Sequence, residues 1–307
     1  MTKAFILHHY DGSPYAEKVR LMFGVTNSGW QSLLSPPWPP RPNVDPLAGG
    51  YRRIPVGQSG ADIFCDSTVI AEELAQRSGC KALSPVSLSA DDAELVALAE
   101  GEAFFSAIIA VPKLRALSTM LLAFGPFGVR RFMKDRAALL RGGSVRRVSP
   151  ARAKAVLNNL FALLDARLKT QDWLGGDAPS LVDLSAFHPL WLHTNVNRRP
   201  LDAPASVTAW FERVAAIGHG QREEISQAEA FAPARDNAPA ELPESVADIP
   251  LPLGSSVTVT PEDYGVVPVA GELVAVTATR LIIARDTTEF GRLHVHFPRQ
   301  GYALRAA

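Results

Sequence analysis

The stretch ILHHYDGSPYAEKVRLMF, residues 6–23, decides how the chain begins to fold. Its apolar start predicts a strand that ends near Tyr10, and Asp11-Gly12 predicts a tight turn. Ser13 is a good helix N-cap, and Pro14 suits the first helical position because its missing N–H would have no partner there. The stretch therefore predicts a strand, a turn and a capped helix.

The rest of residues 1–84 continues in the same style. Short apolar runs at 54–56 and 61–65 predict two further strands, and a helix is predicted to open near Ser67. Between them, Ser35–Pro46 contains six prolines and can hardly be helical. We expect an extended loop there, lying over the active site with Trp38 packed beneath it. The order strand, helix, loop, strand, strand, helix predicts a small α/β domain.

Residues 88–231 are predicted to be helical throughout. Ser89 precedes an acidic first turn, and Ser149-Pro150 repeats the pattern of a cap followed by proline. Ser180–Asp183 fits a capping box in which Asp takes the place of the usual Glu or Gln. A last helix is predicted over 207–217. The second unit is therefore an all-α domain.

The chain changes character again after residue 231. Residues 232–254 are rich in proline, alanine and charge, and this composition predicts a linker. From 255 to 307 the apolar residues alternate with polar ones, which predicts a small β module of three to five strands. We expect this module to be separable from the rest and to lie outside the active site.

Composition excludes several classes of protein. The chain of 307 residues carries 31 basic and 31 acidic side chains, so no overall field favours nucleic acid or a membrane surface. Two cysteines, Cys65 and Cys80, do not make a disulfide framework. No apolar run is long enough to span a membrane, and no secretory signal is recognisable. His294 and His296 share one strand face without an evident third ligand, so no metal site is predicted. We expect a soluble cytoplasmic protein.

Four motifs give the chain a resemblance to a known family. Ser13–Arg20 resembles the start of the first helix in the serine-type glutathione transferases, and also the omega-class and glutaredoxin motif with Ser13 replacing the nucleophilic cysteine. Ile54-Pro55 is similar to the family's pair of an apolar residue and a cis-proline. Asp66-Ser67 is similar to its acidic–serine pair, and Ser180–Asp183 to its helical capping box.

The resemblance covers about 230 residues and is closest to a bacterial and fungal subgroup with a C-terminal extension. It implies a thioredoxin-like α/β N-terminal domain, an all-α C-terminal domain and an appended β module. It also implies glutathione as co-substrate, a small electrophile as second substrate, and a homodimer.

The resemblance also implies roles for individual residues. Ser13 would donate a hydrogen bond to the glutathione sulfur and so favour the nucleophilic thiolate, with Tyr10 as a rival hydroxyl. Across a cis Ile54–Pro55 bond, the backbone of Ile54 would pair with the cysteinyl backbone of glutathione. Asp66 and Ser67 would hold the γ-glutamyl end, although both residues can equally serve only as helix caps.

Two further assignments are weaker. Arg53 is a candidate for binding the glycyl carboxylate of glutathione. An electrophile pocket would lie between the two domains, with Tyr10, Phe104, Phe105 and Ile108 as its candidate residues, and plain packing between helices explains the three later positions equally well.

Two functions remain open at this point. The first is a glutathione transferase that activates the thiol for attack on an electrophile or for thiol-dependent reduction. The alternative is a non-catalytic protein of the same fold that holds a ligand or serves assembly, since one fold often hosts both.

Overall fold

The computed structural model describes residues 4–146, 148–246, 248–249 and 251–307. Ala247 and Pro250, which belong to the predicted linker, lie outside the described residues. Among the described residues ten strands form one sheet in the order β10-β6-β7-β8-β9-β4-β3-β1-β2-β5. The strands are β1 Ile6–His9, β2 Gly29–Leu34, β3 Val56–Ser59, β4 Asp62–Cys65, β5 Gln221–Glu224, β6 Ser256–Pro261, β7 Val269–Val276, β8 Arg280–Thr287, β9 Gly291–Pro298 and β10 Tyr302–Ala306.

The first domain is a thioredoxin-like layer of strands and helices. Strand β1 pairs in parallel with β2 and antiparallel with β3, and β3 pairs antiparallel with β4. The helices are α1 Pro14–Val25, α2 Asp45–Ala48 and α3 Ser67–Ser78. As predicted, Ser13 caps α1, accepting a hydrogen bond from the Ala16 N–H, and Pro14 occupies the first turn.

Two elements of this domain were not predicted. Strand β2 lacks the alternation of apolar and polar residues that predicts a strand, because the polar Gln31 and Ser32 stand side by side among its apolar residues. It nevertheless packs on the first helix: Trp30 stacks on Phe23 of α1 with ring centroids 4.8 Å apart. Helix α2 begins inside the proline-rich stretch, with Pro46 in its first turn, where proline is tolerated. The expectation that the stretch 35–46 is not helical is therefore wrong only at its last two residues, Asp45 and Pro46.

The second domain is built from helices. They are α4 Ala90–Leu98, α5 Phe104–Ile109, α6 Lys113–Leu139, α7 Pro150–Leu168, α8 Leu181–Asn197 and α9 Ala205–Ala216, with a π-helical segment Ala99–Ala103 joining α4 to α5. In α8 the predicted capping box forms: the Asp183 carboxylate accepts from the Ser180 backbone N–H at 3.0 Å and from its hydroxyl at 2.8 Å. Helix α6 breaks at Gly125, whose φ of 65° lies in the left-handed region, followed by Pro126.

Within the described residues no single helix is long and apolar enough to cross a membrane. Ala90–Ile109 and Lys113–Leu139 satisfy that criterion only when taken as a pair, and the pair is bent by 95°.

The prediction that residues 88–231 are helical throughout is wrong at its end. Strand β5 pairs in parallel with β2 and forms one edge of the sheet. Helix α10, Gln227–Asp236, then begins with a capping box between Ser226 and Glu229 and continues into the predicted linker. The chain thus returns to the first domain before residue 240.

The C-terminal extension, residues 255–307, is rich in strands as predicted, but its strands do not form a sheet of their own. Strand β9 pairs in parallel with β4, with Ile63 opposite Val295, so the extension continues the sheet of the first domain. One buried cluster contains Val44, Leu47 and Ile63 together with Leu293 and many other apolar side chains of the extension. The predicted domain boundaries stay predictions, whereas the idea of a separable module does not fit this shared core.

Candidate functional site

A cavity of about 730 Å³ opens between the start of α3, the loop before β3 and the C-terminal extension. Five of the predicted site residues line it: Arg53, Ile54, Pro55, Asp66 and Ser67. The volume is in the usual range for a small-molecule site. The structure therefore brings the Ile54-Pro55 and Asp66-Ser67 motifs of the first domain to one place.

The loop before β3 presents backbone to the cavity. The Ile54–Pro55 peptide bond is cis, as the resemblance implies. Among the described residues, neither the N–H nor the C=O of Ile54 has a hydrogen-bond partner. These two groups are the donor and acceptor that an extended peptide needs for strand-like pairing.

The start of α3 presents a hydroxyl and a helix N-terminus. Asp66 is the N-cap, and its Oδ1 accepts from the Thr68 N–H at 2.9 Å. Ser67 is buried and lines the cavity, and its hydroxyl has no partner among the described residues. The unpaired N–H groups of a helix N-terminus favour a negatively charged ligand group. This corner of the cavity can hold a carboxylate.

Arg53 is already engaged by the extension. Its guanidinium lies over the ring of Tyr264, 4.1 Å from the centroid, and donates to the Tyr264 carbonyl oxygen from Nε at 3.1 Å and from Nη2 at 2.7 Å. It also forms ion pairs with Asp263 and, at 3.4 Å, with Asp66. These contacts use four of its five N–H groups. Arg53 therefore has one N–H group left with which to bind a ligand.

Ser13 is near this region but does not line the cavity. Its residue is 2% exposed, its oxygen accepts from Ala16, and its N–H donates to the Tyr10 carbonyl at 3.0 Å. Among the described residues, nothing accepts the hydroxyl hydrogen of Ser13. Tyr15, two residues further on, does line the cavity, and its hydroxyl donates to the Glu100 carbonyl at 3.1 Å. Burial raises the pKa of Tyr15 well above its ordinary value, so this hydroxyl stays protonated.

The residues predicted for the electrophile pocket are not among those that line the cavity. Phe104 is buried between the domains, against the rings of Tyr15 and His188. Phe105 contacts the Tyr264 ring edge-on, Ile108 is 42% exposed, and Tyr10 packs against the core shared with the extension. Phe104 therefore packs between helices, as the alternative to an electrophile pocket predicted.

The proline-rich loop does not cover the cavity. No residue of 35–46 lines it, and Trp38 packs on Phe124 and Phe132 of α6, with ring centroids 5.4 and 6.3 Å away. The buried Arg41 donates to the carbonyl oxygens of Pro36, Pro37 and Arg52. Since prolines have no N–H, this arginine satisfies the loop's carbonyl groups and fixes its course. The expectation of a lid over the active site is therefore wrong.

Sequence reasoning missed the side chains that the extension contributes. The cavity is also lined by residues on and around the ends of its strands: Glu262, Asp263, Tyr264, Ala278, Thr279, Pro298, Gln300, Gly301 and Tyr302. Tyr51 and Glu100 were missed as well. Tyr51 lies three residues before the Ile54-Pro55 motif, whereas the tyrosines of the extension belong to no motif that could have indicated them.

His294 and His296 lie at the junction of β9 with β4. His296 Nε2 is 3.1 Å from Asp62 Oδ1, and His294 Nδ1 is 3.9 Å from the same atom. In the described part of the chain no group of three or more His, Cys, Asp or Glu side chains is arranged to hold a metal ion. These histidines join the extension to the first domain.

Comparison with known proteins agrees with an α/β domain followed by a helical domain. The family model for the N-terminal domain of glutathione S-transferases matches residues 7–82, and the one for the C-terminal domain matches residues 130–217. A GST-like protein from Pseudomonas syringae, solved by crystallography, is 30% identical over 100% of both chains, with a TM-score of 0.79. That match includes the C-terminal extension.

More distant structures match only part of the chain. A glutathione S-transferase from Rhodospirillum rubrum F11 is 18% identical over 69% of this chain and 88% of its own, with a TM-score of 0.47. A glutathione transferase family member from Pseudomonas fluorescens pf-5, crystallised with two glutathione bound, is 14% identical over 70% and 87%, with a TM-score of 0.43. No curated protein matches significantly. On the two family models and the full-length relative, the chain belongs to the glutathione transferase superfamily.

Proposed function

We propose that the protein is a glutathione transferase that binds glutathione in this cavity and activates its thiol. The observation that carries the proposal is the convergence of unpaired polar groups on one cavity: the backbone of Ile54, the hydroxyl of Ser67 and the N-terminus of α3. Glutathione needs groups of these kinds, because it is an extended tripeptide with a carboxylate at each end.

The γ-glutamyl end would bind at α3. The Ser67 hydroxyl and the helix N-terminus would hold its carboxylate, and the free lone pair of the Asp66 carboxylate would accept from its ammonium group. The cysteinyl residue would then pair with the backbone of Ile54, which directs the sulfur toward the start of α1. Arg53 is not required in this arrangement, because its N–H groups are occupied by the extension.

The thiol would be activated at the start of α1. A hydroxyl that donates to sulfur, beside the positive end of a helix, stabilises the thiolate, which is the nucleophile. Ser13 is our first candidate because its hydroxyl hydrogen has no acceptor among the described residues. Tyr15 is the competing donor because it lines the cavity, but its hydroxyl would have to give up its hydrogen bond to the Glu100 carbonyl. The thiolate would attack a small electrophile or reduce one, and we expect the enzyme to act as a homodimer in the cytoplasm.

The binding step is tested by calorimetry and thermal unfolding with glutathione. A ligand that binds only the native state at a hundredfold excess over Kd stabilises it by about 2.7 kcal/mol, so the melting temperature should rise. Ser67→Ala should remove most of that shift. Ser78→Ala, at the exposed far end of the same helix, is the matched control and should keep it. A full shift in Ser67→Ala would place the ligand elsewhere.

The activation step is tested by kinetics with a reactive aryl halide. Ser13→Ala should cost about 1 kcal/mol of stability through the lost cap. If Ser13 also donates to sulfur, the change should raise the pKa of the bound thiol and lower turnover at neutral pH about tenfold for each pKa unit, with partial recovery at higher pH. Tyr15→Phe should then leave turnover nearly unchanged. The opposite ranking of the two variants would transfer the role to Tyr15.

A further inference from the structure

A chain of hydrogen bonds with a fixed direction runs from the first domain through the extension to Asp66. The hydroxyls of Tyr51 and Tyr302 are 2.6 Å apart, and the Tyr302 hydroxyl is 2.9 Å from Asp66 Oδ2. An ionised carboxylate only accepts hydrogen bonds, so Tyr302 must donate to Asp66. The oxygen of Tyr302 then accepts from Tyr51. The contacts thus determine where both hydroxyl hydrogens lie.

Asp66 needs such support, because its backbone is unfavourable for an aspartate. Its φ is 108° and its ψ is 141°, a conformation that is rare for residues other than glycine. Backbone strain of this kind costs on the order of 1–3 kcal/mol and persists where the surroundings over-determine it. Thr68 holds Oδ1, and Oδ2 is held by Tyr302 and Arg53. The free lone pair of this carboxylate therefore has a defined direction.

The extension also fixes the charge around Asp66. Among the described residues, Arg53 is the cation that pairs with both Asp66 and Asp263, so these three side chains together carry one net negative charge. Burial raises the pKa of Tyr302 well above its ordinary value and that of Tyr264 to about 12, so neither tyrosine adds a charge at neutral pH. A ligand ammonium group would balance the excess.

We propose that Tyr302 is a positioning residue for glutathione, holding the Asp66 carboxylate so that it accepts from the α-ammonium group of the γ-glutamyl residue. The inference rests on the proposed function. It makes the C-terminal extension part of the glutathione site, with a side chain 236 positions from Asp66 along the chain determining how one end of the ligand is recognised.

Calorimetry on Tyr302→Phe, with two ligands, tests the role. One ligand is glutathione and the other is its analogue without the α-amino group. Loss of one hydrogen bond to a charged group should raise the Kd of glutathione about tenfold. The Kd of the analogue should be the same for the variant and the wild-type protein. In turnover assays KM for glutathione should rise while kcat at saturation stays constant.

Tyr51→Phe is the matched control, because it removes a hydroxyl of the same chain that does not touch Asp66. We expect its Kd for glutathione to rise less than that of Tyr302→Phe. A second variant, Asp263→Asn, removes one charged partner of Arg53 while leaving Tyr302 in place, and the Asp263 side chain is half exposed. It should also weaken binding of glutathione but not of the analogue.

Each outcome decides the question. An equal loss for both ligands in Tyr302→Phe, or no loss for either, would overturn the positioning role and leave the proposed function standing. A wild-type protein that binds neither ligand would overturn both. If Tyr302→Phe does not fold, Tyr51→Phe is judged by the same criterion, because it leaves the Tyr302 hydroxyl without its partner. A loss for glutathione but not for the analogue would then support the positioning role, and the absence of such a difference would overturn it.

Discussion

The first domain and the C-terminal extension build one cavity, but they differ in how visible their contributions are in the sequence. The first domain supplies Ile54-Pro55 and Asp66-Ser67, short motifs with a recognisable spacing. The extension supplies Tyr264 and Tyr302, single residues without a motif. Both regions belong to one sheet, joined where β9 pairs with β4. Distance along the chain and lack of a motif are therefore poor guides to which residues share a binding site.

Removal of the extension should have the largest effect. A chain that ends at Leu242 loses strands β6–β10 and exposes core side chains such as Val44, Leu47 and Ile63. Burial of each is worth about 1.5–3 kcal/mol, and a whole domain is stable by only 5–15 kcal/mol. We expect the shortened chain to lose cooperative urea unfolding, as followed by circular dichroism. A shortened chain that unfolds cooperatively and still binds glutathione would instead support the prediction that residues 255–307 are a separable module.

The two regions should also differ in their response to acid. Burial lowers the pKa of His8, in β1, to about 4. Between pH 6.5 and 4 the unfolded chain therefore binds a proton at this position that the folded chain does not bind. The free energy of unfolding falls as the pH falls, and His8 alone contributes about 3 kcal/mol to that decline. At the β4–β9 junction, burial raises the pKa of Asp62, but the hydrogen bonds from His296 and the Ala240 N–H, together with the charges of His296 and His294, outweigh burial and lower the pKa. The Asp62 contribution is lost only at lower pH, as its carboxylate becomes protonated, whereas His294 beside it, whose pKa is lowered by burial, contributes with the same sign as His8.

Urea unfolding at a series of pH values separates the contribution of His8, lost between pH 6.5 and 4, from that of Asp62, lost at lower pH. The free energy of unfolding should decline from pH 6.5 to 4 in the wild-type protein. In His8→Leu it should decline less over the same range, whatever the absolute stability of the variant. The quantity to compare is the slope, because loss of the imidazole also leaves the Gln58 oxygen without its partner at 2.8 Å. Equal slopes in the two proteins would assign the acid response to other groups.

Much of the fold was predictable because it rests on local signals. The cap at Ser13, the capping box at Ser180–Asp183 and the spacing of Ile54-Pro55 and Asp66-Ser67 are set by neighbouring residues, and each motif was placed correctly in the structure. Strands β2 and β5 were missed because their sequences do not alternate, and they owe their conformation to pairing with each other and with β1. Pairing of distant strands leaves little trace in a single sequence.

The site was predictable only on the side that the first domain builds. The alternation of apolar and polar residues in 255–307 indicates strands with one buried face, but it does not identify the part of the protein that covers this face. One signal was available: Leu281–Ala284 is an uninterrupted apolar run, as in a central strand of a sheet, and the structure buries all four residues. An isolated module of this size could hardly bury both faces of such a strand. This pattern argues for a larger sheet, though not for the position of Tyr302.

A crystal structure of the protein with glutathione tests the central claim most directly, namely that both regions form one glutathione site. We expect glutathione in the cavity, with its γ-glutamyl carboxylate on Ser67, its ammonium group on Asp66 and its cysteinyl backbone paired with Ile54. Tyr302 should keep its hydrogen bond to Asp66. Glutathione bound away from α3, or bound there with Tyr302 turned out of the site, would contradict the account.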